Sequence, residues 1–225
     1  MSLLQQIAAL FFKALTGLMF RVDAAAFAKI PNRGPLIIVT NHVHIPEIPT
    51  LYVRLLPRKV YGMAQAERVL DKNIAGAILR WIGTIPVWRG EADLTALRAG
   101  IRILSEGNII LLDPEGTRSH DGRLQKGQPG AILMALHSEA PMLPVVHFGS
   151  ENYRENLKHL RRTDIHYVVG RPFRVDAGGK RVTSAVRQQM IDEVMFQMAG
   201  LLPVQYRGAY ADLNTGSQKY LVFEE

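Results

Sequence analysis

A chain of 225 residues suits one domain with at most a small appendage. Its 48% hydrophobic content is enough to bury a core, and the absence of cysteine excludes a disulfide framework, thiolate metal sites and a cysteine nucleophile. A net charge of +7 and a pI near 9.8 favour anionic partners (nucleic acid, an anionic lipid surface, phosphorylated small molecules) or a merely solubilising basic surface.

The opening segment, "MSLLQQIAALFFKALTGLMF", is apolar but broken by Gln5, Gln6, Lys13 and Thr16. It lacks the early positive charge of a secretory signal and the roughly 18 apolar residues of a spanning helix. At helical spacing Leu4, Ile7, Ala8, Phe11, Leu15, Leu18 and Met19 form one stripe, with Gln6, Lys13 and Gly17 towards the other side. This predicts an amphipathic helix, which either packs on its own domain or docks at a membrane interface.

Strands and helices then alternate. "GPLIIVT" (34–40) reads as a buried strand, "PTLYVRLL" (49–56) as a helix and "RKVYGMA" (58–64) as a strand. A helix is expected over 71–83, capped by Asp71 and stopped by Gly83, followed by a strand at 84–89. An amphipathic helix at 93–107 precedes the apolar strand "NIILLD" (108–113). Further on come a helix at 129–140, strands at 142–149 and 164–170, and a long helix at 184–202. The order predicts an α/β fold with a mixed, mostly parallel central sheet flanked by helices. The expected organisation is an N-terminal helical segment (1–29), a main α/β domain (30–203) and a tail (204–225) whose weak periodicity assigns it no role.

Ligand sites of open α/β sheets lie beyond strand ends, in the loops. Three loops that follow predicted strands are rich in reactive side chains: "NHVHIPE" (41–47), the turn at Arg89 and "DPEGTRS" (113–119). Taken singly they are modest signals, since a lone histidine is more often a structural residue than a catalyst and a lone arginine is usually solvated. His42, His44 and Glu47 do not form the His-Glu-x-x-His helix pattern of a metal site. No Gly-x-Gly-x-x-Gly or Walker loop is present, and aromatics at 8% are sparse for a single-strand nucleic-acid platform.

Together the loops resemble the lysophosphatidate and glycerolipid acyltransferases of the plsC type. "NHVHIPE" matches the first family block at Asn41, His42 and Glu47, an HX4E spacing. "GTIPVWR" matches the second at Gly83, Ile85 and Arg89, and "PEGTRS" matches the third from Pro114 to Ser119. "APMLPVV" (140–146) resembles the fourth. The chain departs from the pattern in having Glu47 for the usual aspartate, His44 for a common serine, and Asp113 before the Pro-Glu-Gly block.

The resemblance implies O-acyl transfer from an acyl thioester, of coenzyme A or acyl carrier protein, to a lysophospholipid hydroxyl. It needs no metal or cofactor, and the substrate supplies the nucleophile. His42 would be the general base, since its offset to Glu47 is the family's step, and Glu47 would orient it. His44 would line the site or cap the turn beside Asn41. Arg89, Arg118 and Lys126 would hold the acceptor's phosphate. Glu115 would orient a glycerol hydroxyl, with Gly116 admitting the backbone and Thr117 completing the loop; the alternative for Glu115 and Arg118 is a mutual ion pair. The expected location is the cytoplasmic face of a membrane, peripheral or monotopic, without nucleic acid. The rival readings are a different hydroxylated lipid or glycolipid acceptor, and a non-catalytic basic protein binding lipid or nucleic acid.

Overall fold

The computed structural model describes residues 3–23, 25–44, 47–88 and 93–224. Helix α1 (Leu3–Met19) leads into a short strand β1 (Phe20–Val22) and a 3-10 turn at Ala25–Lys29. Then follow β2 (Leu36–Val39), α2 (Glu47–Leu55), β3 (Val60–Gln65), α3 (Ala66–Leu70), α4 (Ile74–Trp81), β4 (Ile85–Val87) and α5 (Leu94–Ser105). The second half carries β5 (Ile109–Leu112), α6 (Gly130–Ser138), β6 (Met142–Phe148), α7 (Tyr153–Lys158), β7 (Thr163–Val169) and β8 (Phe173–Val175). Helix α8 (Ser184–Leu201), three 3-10 turns and β9 (Leu221–Phe223) complete it.

The described strands form one sheet in the order β1-β7-β6-β2-β5-β3-β4, with β8 pairing β6 and β9 pairing β8. Strands β6, β2, β5, β3 and β4 run parallel, while β7 and β8 are antiparallel to β6. The sheet is therefore mixed and mostly parallel, as the alternating pattern predicts.

Both faces of the central strands are covered, which is why β2 and β5 read as unbroken apolar runs. Pleating sends Ile37, Val39, Ile110 and Leu112 into a core shared with α5, α6 and α8. Leu36, Ile38, Ile109 and Leu111 enter a second core closed by α2 and by Phe20 at the start of β1. The sheet edge formed by the C-terminal ends of the parallel strands is left to the loops.

Two local expectations change. The helix expected over 71–83 is found as the shorter α4, because Asn73, not Asp71, caps it: the Asn73 side chain accepts a hydrogen bond from Gly76 N at 2.8 Å. Asp71 instead accepts from the Asn73 side chain at 2.6 Å, which fixes the break between α3 and α4. The tail, for which periodicity offered nothing, is built into the molecule. Buried Glu193 on α8 accepts from Lys219 N and Tyr220 N, and β9 extends the sheet beyond β8.

The stripe on α1 is turned outward: Ile7, Phe11, Leu15 and Leu18 are 56%, 62%, 40% and 75% exposed. The helix rests on α2 and β1. Among the described residues, no helix is long and apolar enough to cross a membrane.

Candidate active site

The loop after β2 carries Asn41, His42 and His44, and it is tied down by residues distant in sequence. Asn41 and His147 are cross-linked three times. The Asn41 side chain donates to His147 O at 2.8 Å, and His147 N donates to Asn41 Oδ1 at 2.9 Å. The ring Nε2 of His147 lies 2.6 Å from Asn41 O, so that nitrogen carries the proton. This lattice exists because β2 and β6 are parallel neighbours whose ends come together.

Glu47 opens α2 and is fully buried. Its Oε2 accepts from Val43 N at 3.1 Å and His44 N at 2.7 Å, and lies 3.5 Å from His147 Nε2. Its Oε1 accepts from the Ser150 hydroxyl, while Tyr167 OH donates to its backbone carbonyl at 3.0 Å. A buried carboxylate needs such a set of donors, and here they also fix the curvature of the His42 loop.

His42 is not among those hydrogen-bonding partners. Its Nδ1 is buried with no hydrogen bond among the described residues. Burial lowers the pKa of the ring to about 4; Glu47 works against that shift, and His147, Arg118 and Arg68 add to it. The ring is thus neutral across the ordinary pH range, with the Glu47 charge near enough to act on it.

The "PEGTRS" loop docks directly on this segment, since Ser119 N donates to His42 O at 2.8 Å. Glu115 is buried, with Oε2 accepting from Gln125 N at 2.7 Å and Oε1 unpartnered among the described residues. Burial, reinforced by the neighbouring Asp113 charge, pushes its carboxyl up to about 8. Among the described residues it makes no ion pair with Arg118, which instead adds its positive charge to the surroundings of His42. Gly116 has φ +70°, and that backbone conformation, not crowding, demands glycine there, because a Cβ would meet only Gln128 at 3.5 Å. Thr117 is exposed at the tip of the loop.

Lys126 is exposed on a segment pinned at both sides, through Gln125 N to Glu115 and Gly127 N to Tyr210 OH at 3.0 Å. The tail thereby buttresses the loop that carries it. The ring of His44 packs against Tyr153, with centroids 5.0 Å apart, while its backbone N–H serves Glu47. Arg89 lies outside the described residues.

Sequence reasoning missed His147, Ser150 and Tyr167. The only signal for His147 was a polar residue at the very end of an apolar strand, directly after the "APMLPVV" block.

Against known proteins, a family model described as Acyltransferase matches residues 22–147, more than half of the chain. The chain belongs to this family. A 1-acyl-sn-glycerol-3-phosphate acyltransferase of Bacillus subtilis (strain 168) is 29% identical over 144 residues, covering 64% of this chain and 69% of the relative. The human 1-acyl-sn-glycerol-3-phosphate acyltransferase beta is 27% identical over 151 residues, and the match covers 65% of this chain and about half (52%) of the relative. These relatives are O-acyltransferases. The crystal structure of the 1-acyl-sn-glycerophosphate (LPA) acyltransferase PlsC from Thermotoga maritima shares the fold, with a TM-score of 0.59 and 21% identity over 87% of this chain and 78% of that one.

Proposed function

We propose that this protein transfers a fatty acyl group from an acyl thioester, of coenzyme A or acyl carrier protein, to the free hydroxyl of lysophosphatidate. His42 acts as general base. The observation that carries this reading is a buried, neutral imidazole with an unpartnered ring nitrogen, held between a buried carboxylate and the Pro114–Ser119 loop.

In the transfer, Nε2 of His42 takes the hydroxyl proton as the acceptor oxygen attacks the thioester carbonyl. The tetrahedral intermediate collapses with loss of the thiolate, which recovers that proton from the imidazolium. Nδ1 faces inward, and the Glu47 charge stabilises the imidazolium formed in the transition state. Burial enlarges that stabilisation, and it costs the free ring its basicity.

Glu115, protonated below about pH 8, keeps Oε2 as the acceptor for Gln125 N and offers the O–H of its unpartnered Oε1 to orient the acceptor. Arg118, Lys126 and Arg89 are the cations assigned to the phosphate. The protein works at the cytoplasmic surface of a membrane as a peripheral or monotopic enzyme, where the exposed apolar stripe of α1 gives it purchase. The test is thiol release from acyl-CoA or acyl carrier protein in the presence of lysophosphatidate, with the lipid product identified by mass spectrometry. No thiol release with any acceptor overturns the reading.

A further inference from the structure

Helix α4 packs the wrong way round for a helix of a water-soluble surface. Its inward side is small: a Cβ on Gly76 would meet Asp71 O at 2.1 Å, so only glycine lets α4 close onto the α3 turn. Its outward side is large. Ile74, Ile78 and Trp81, at i, i+4 and i+7, are 81%, 40% and 42% exposed, with Leu70 (52%) ahead of them and Trp88 (55%) beyond. Single exposed apolar residues need no explanation, but a helical stripe of two isoleucines and a tryptophan does, and the chain's other tryptophan, Trp88, is also exposed, just after β4.

The position of the stripe narrows its partner. Helix α3 continues directly from the C-terminal end of β3, on the sheet edge that carries His42, and Arg68 on α3 is close enough to act on the charge of that ring. The exposed bases on the segment are Arg68, Lys72 and Arg80; the acids are Glu67 and Asp71, and Asp71 is engaged by Asn73. Arg80 donates to the carbonyls of Val69 and Asp71 and holds the α3–α4 corner rigid. A rigid corner with outward Ile and Trp, flanking bases and a chain charge of +7 fits the interface of an anionic bilayer, where tryptophan settles at headgroup level.

We infer that the α3–α4 corner is a second membrane-contact surface, separate from α1, that seats the catalytic edge on an anionic lipid leaflet. The inference rests on the acyl-transfer reading only in taking the bilayer as the source of the acceptor. Two contacts on different elements fix an orientation, which one helix lying in an interface cannot do.

Because α1 has no tryptophan, the emission reports on Trp81 of α4 and on Trp88 after β4 but not on α1, and a Trp88→Phe variant leaves Trp81 alone to report on the corner. The full chain is titrated with vesicles of phosphatidylcholine and phosphatidylglycerol carrying brominated acyl chains, and with phosphatidylcholine vesicles alone. The expected result is a blue-shifted emission quenched by bromine, stronger with phosphatidylglycerol. Ile74→Asp should lower the vesicle partition coefficient about tenfold or more. The same variant should leave acyl transfer to a short-chain, monomeric lysophosphatidate unchanged. Co-sedimentation with vesicles without quenching would assign binding to α1 alone and overturn the inference, as would a lipid-free dimer that buries the tryptophans. If the wild-type chain turns over no acceptor, the acyl-transfer reading fails, and quenching alone decides the surface.

Discussion

Glu47 and His147 meet inside the protein, 3.5 Å apart between Oε2 and Nε2 and both essentially without solvent exposure, although 100 positions separate them in the chain. The pair places a histidine beside the carboxylate, and that histidine is not the proposed base. Glu47 thus has two tasks: it closes the loop through its donors, and it presents its charge to His42.

The loop-closing task predicts the effect of Ser150→Ala. Removing the hydroxyl that donates to Oε1 leaves a buried carboxylate short of one donor, a loss of about 1–3 kcal/mol. Denaturant unfolding should show it. A double-mutant cycle with Glu47→Gln should be non-additive, because both changes act on one network. Additive losses would mean that the hydroxyl does not support Glu47.

The methylene by which Glu47 exceeds the aspartate that the family resemblance leads one to expect has a structural use here. The longer arm reaches two backbone amides, Ser150 and His147 together. Glu47→Asp should therefore lower kcat about tenfold or more, while Tm falls by only a few degrees. Steady-state kinetics beside a thermal scan checks this, and unchanged kcat would show the arm length to be immaterial.

How much of this was legible in the sequence follows the range of the interactions. Strands β2 and β5 could be read from "LIIV" and "IILL" because both faces of a parallel strand are covered and the whole run is apolar. The three-residue strands β1, β8 and β9 are too short for any period to show, and they exist only by pairing with strands far away. Asn73 and Asp71 are both good caps, and only the close packing of Gly76 decides between them. At the site, His42, Glu47 and the Pro114–Ser119 loop could be read from spacing. His147 and Ser150 could not, because their proximity to Asn41 and Glu47 is created by the parallel pairing of β2 with β6.

With His42 as the proposed base, its low basicity should set the acid limb of the pH profile. A base with its pKa held at about 4 stays deprotonated well below neutrality, so kcat/KM should fall only as pH drops towards 4. An ordinary histidine limb near 6.5 would show that the ring is not held in this buried environment. Thiol release under kcat/KM conditions, measured with buffers that leave the vesicle or micelle unchanged, gives the profile.

Glu115 gives stability its own pH dependence. Its folded pKa is raised to about 8 from an ordinary 4.5, so the folded state binds the extra proton between those values. That contribution is full below about 4.5, declines as pH rises and is gone above about 8. Glu115→Gln, which cannot ionise, should flatten this part of the curve, with a gain on the order of a few kcal/mol near pH 9 relative to the parent. Urea unfolding of both proteins near pH 5 and pH 9 measures it. A parallel pH dependence in the two would contradict the buried, protonated state of Glu115.

The most direct test of the central claim is single-turnover transfer by His42→Ala and His44→Ala side by side, with circular dichroism and thermal melting to show that both remain folded. With His42 as the base, His42→Ala is expected to lose about 10²–10⁴-fold in the rate of acyl transfer, the worth of a general base, while His44→Ala keeps transfer within about tenfold of the parent. Retained transfer in folded His42→Ala, with His44→Ala inactive, would contradict that claim.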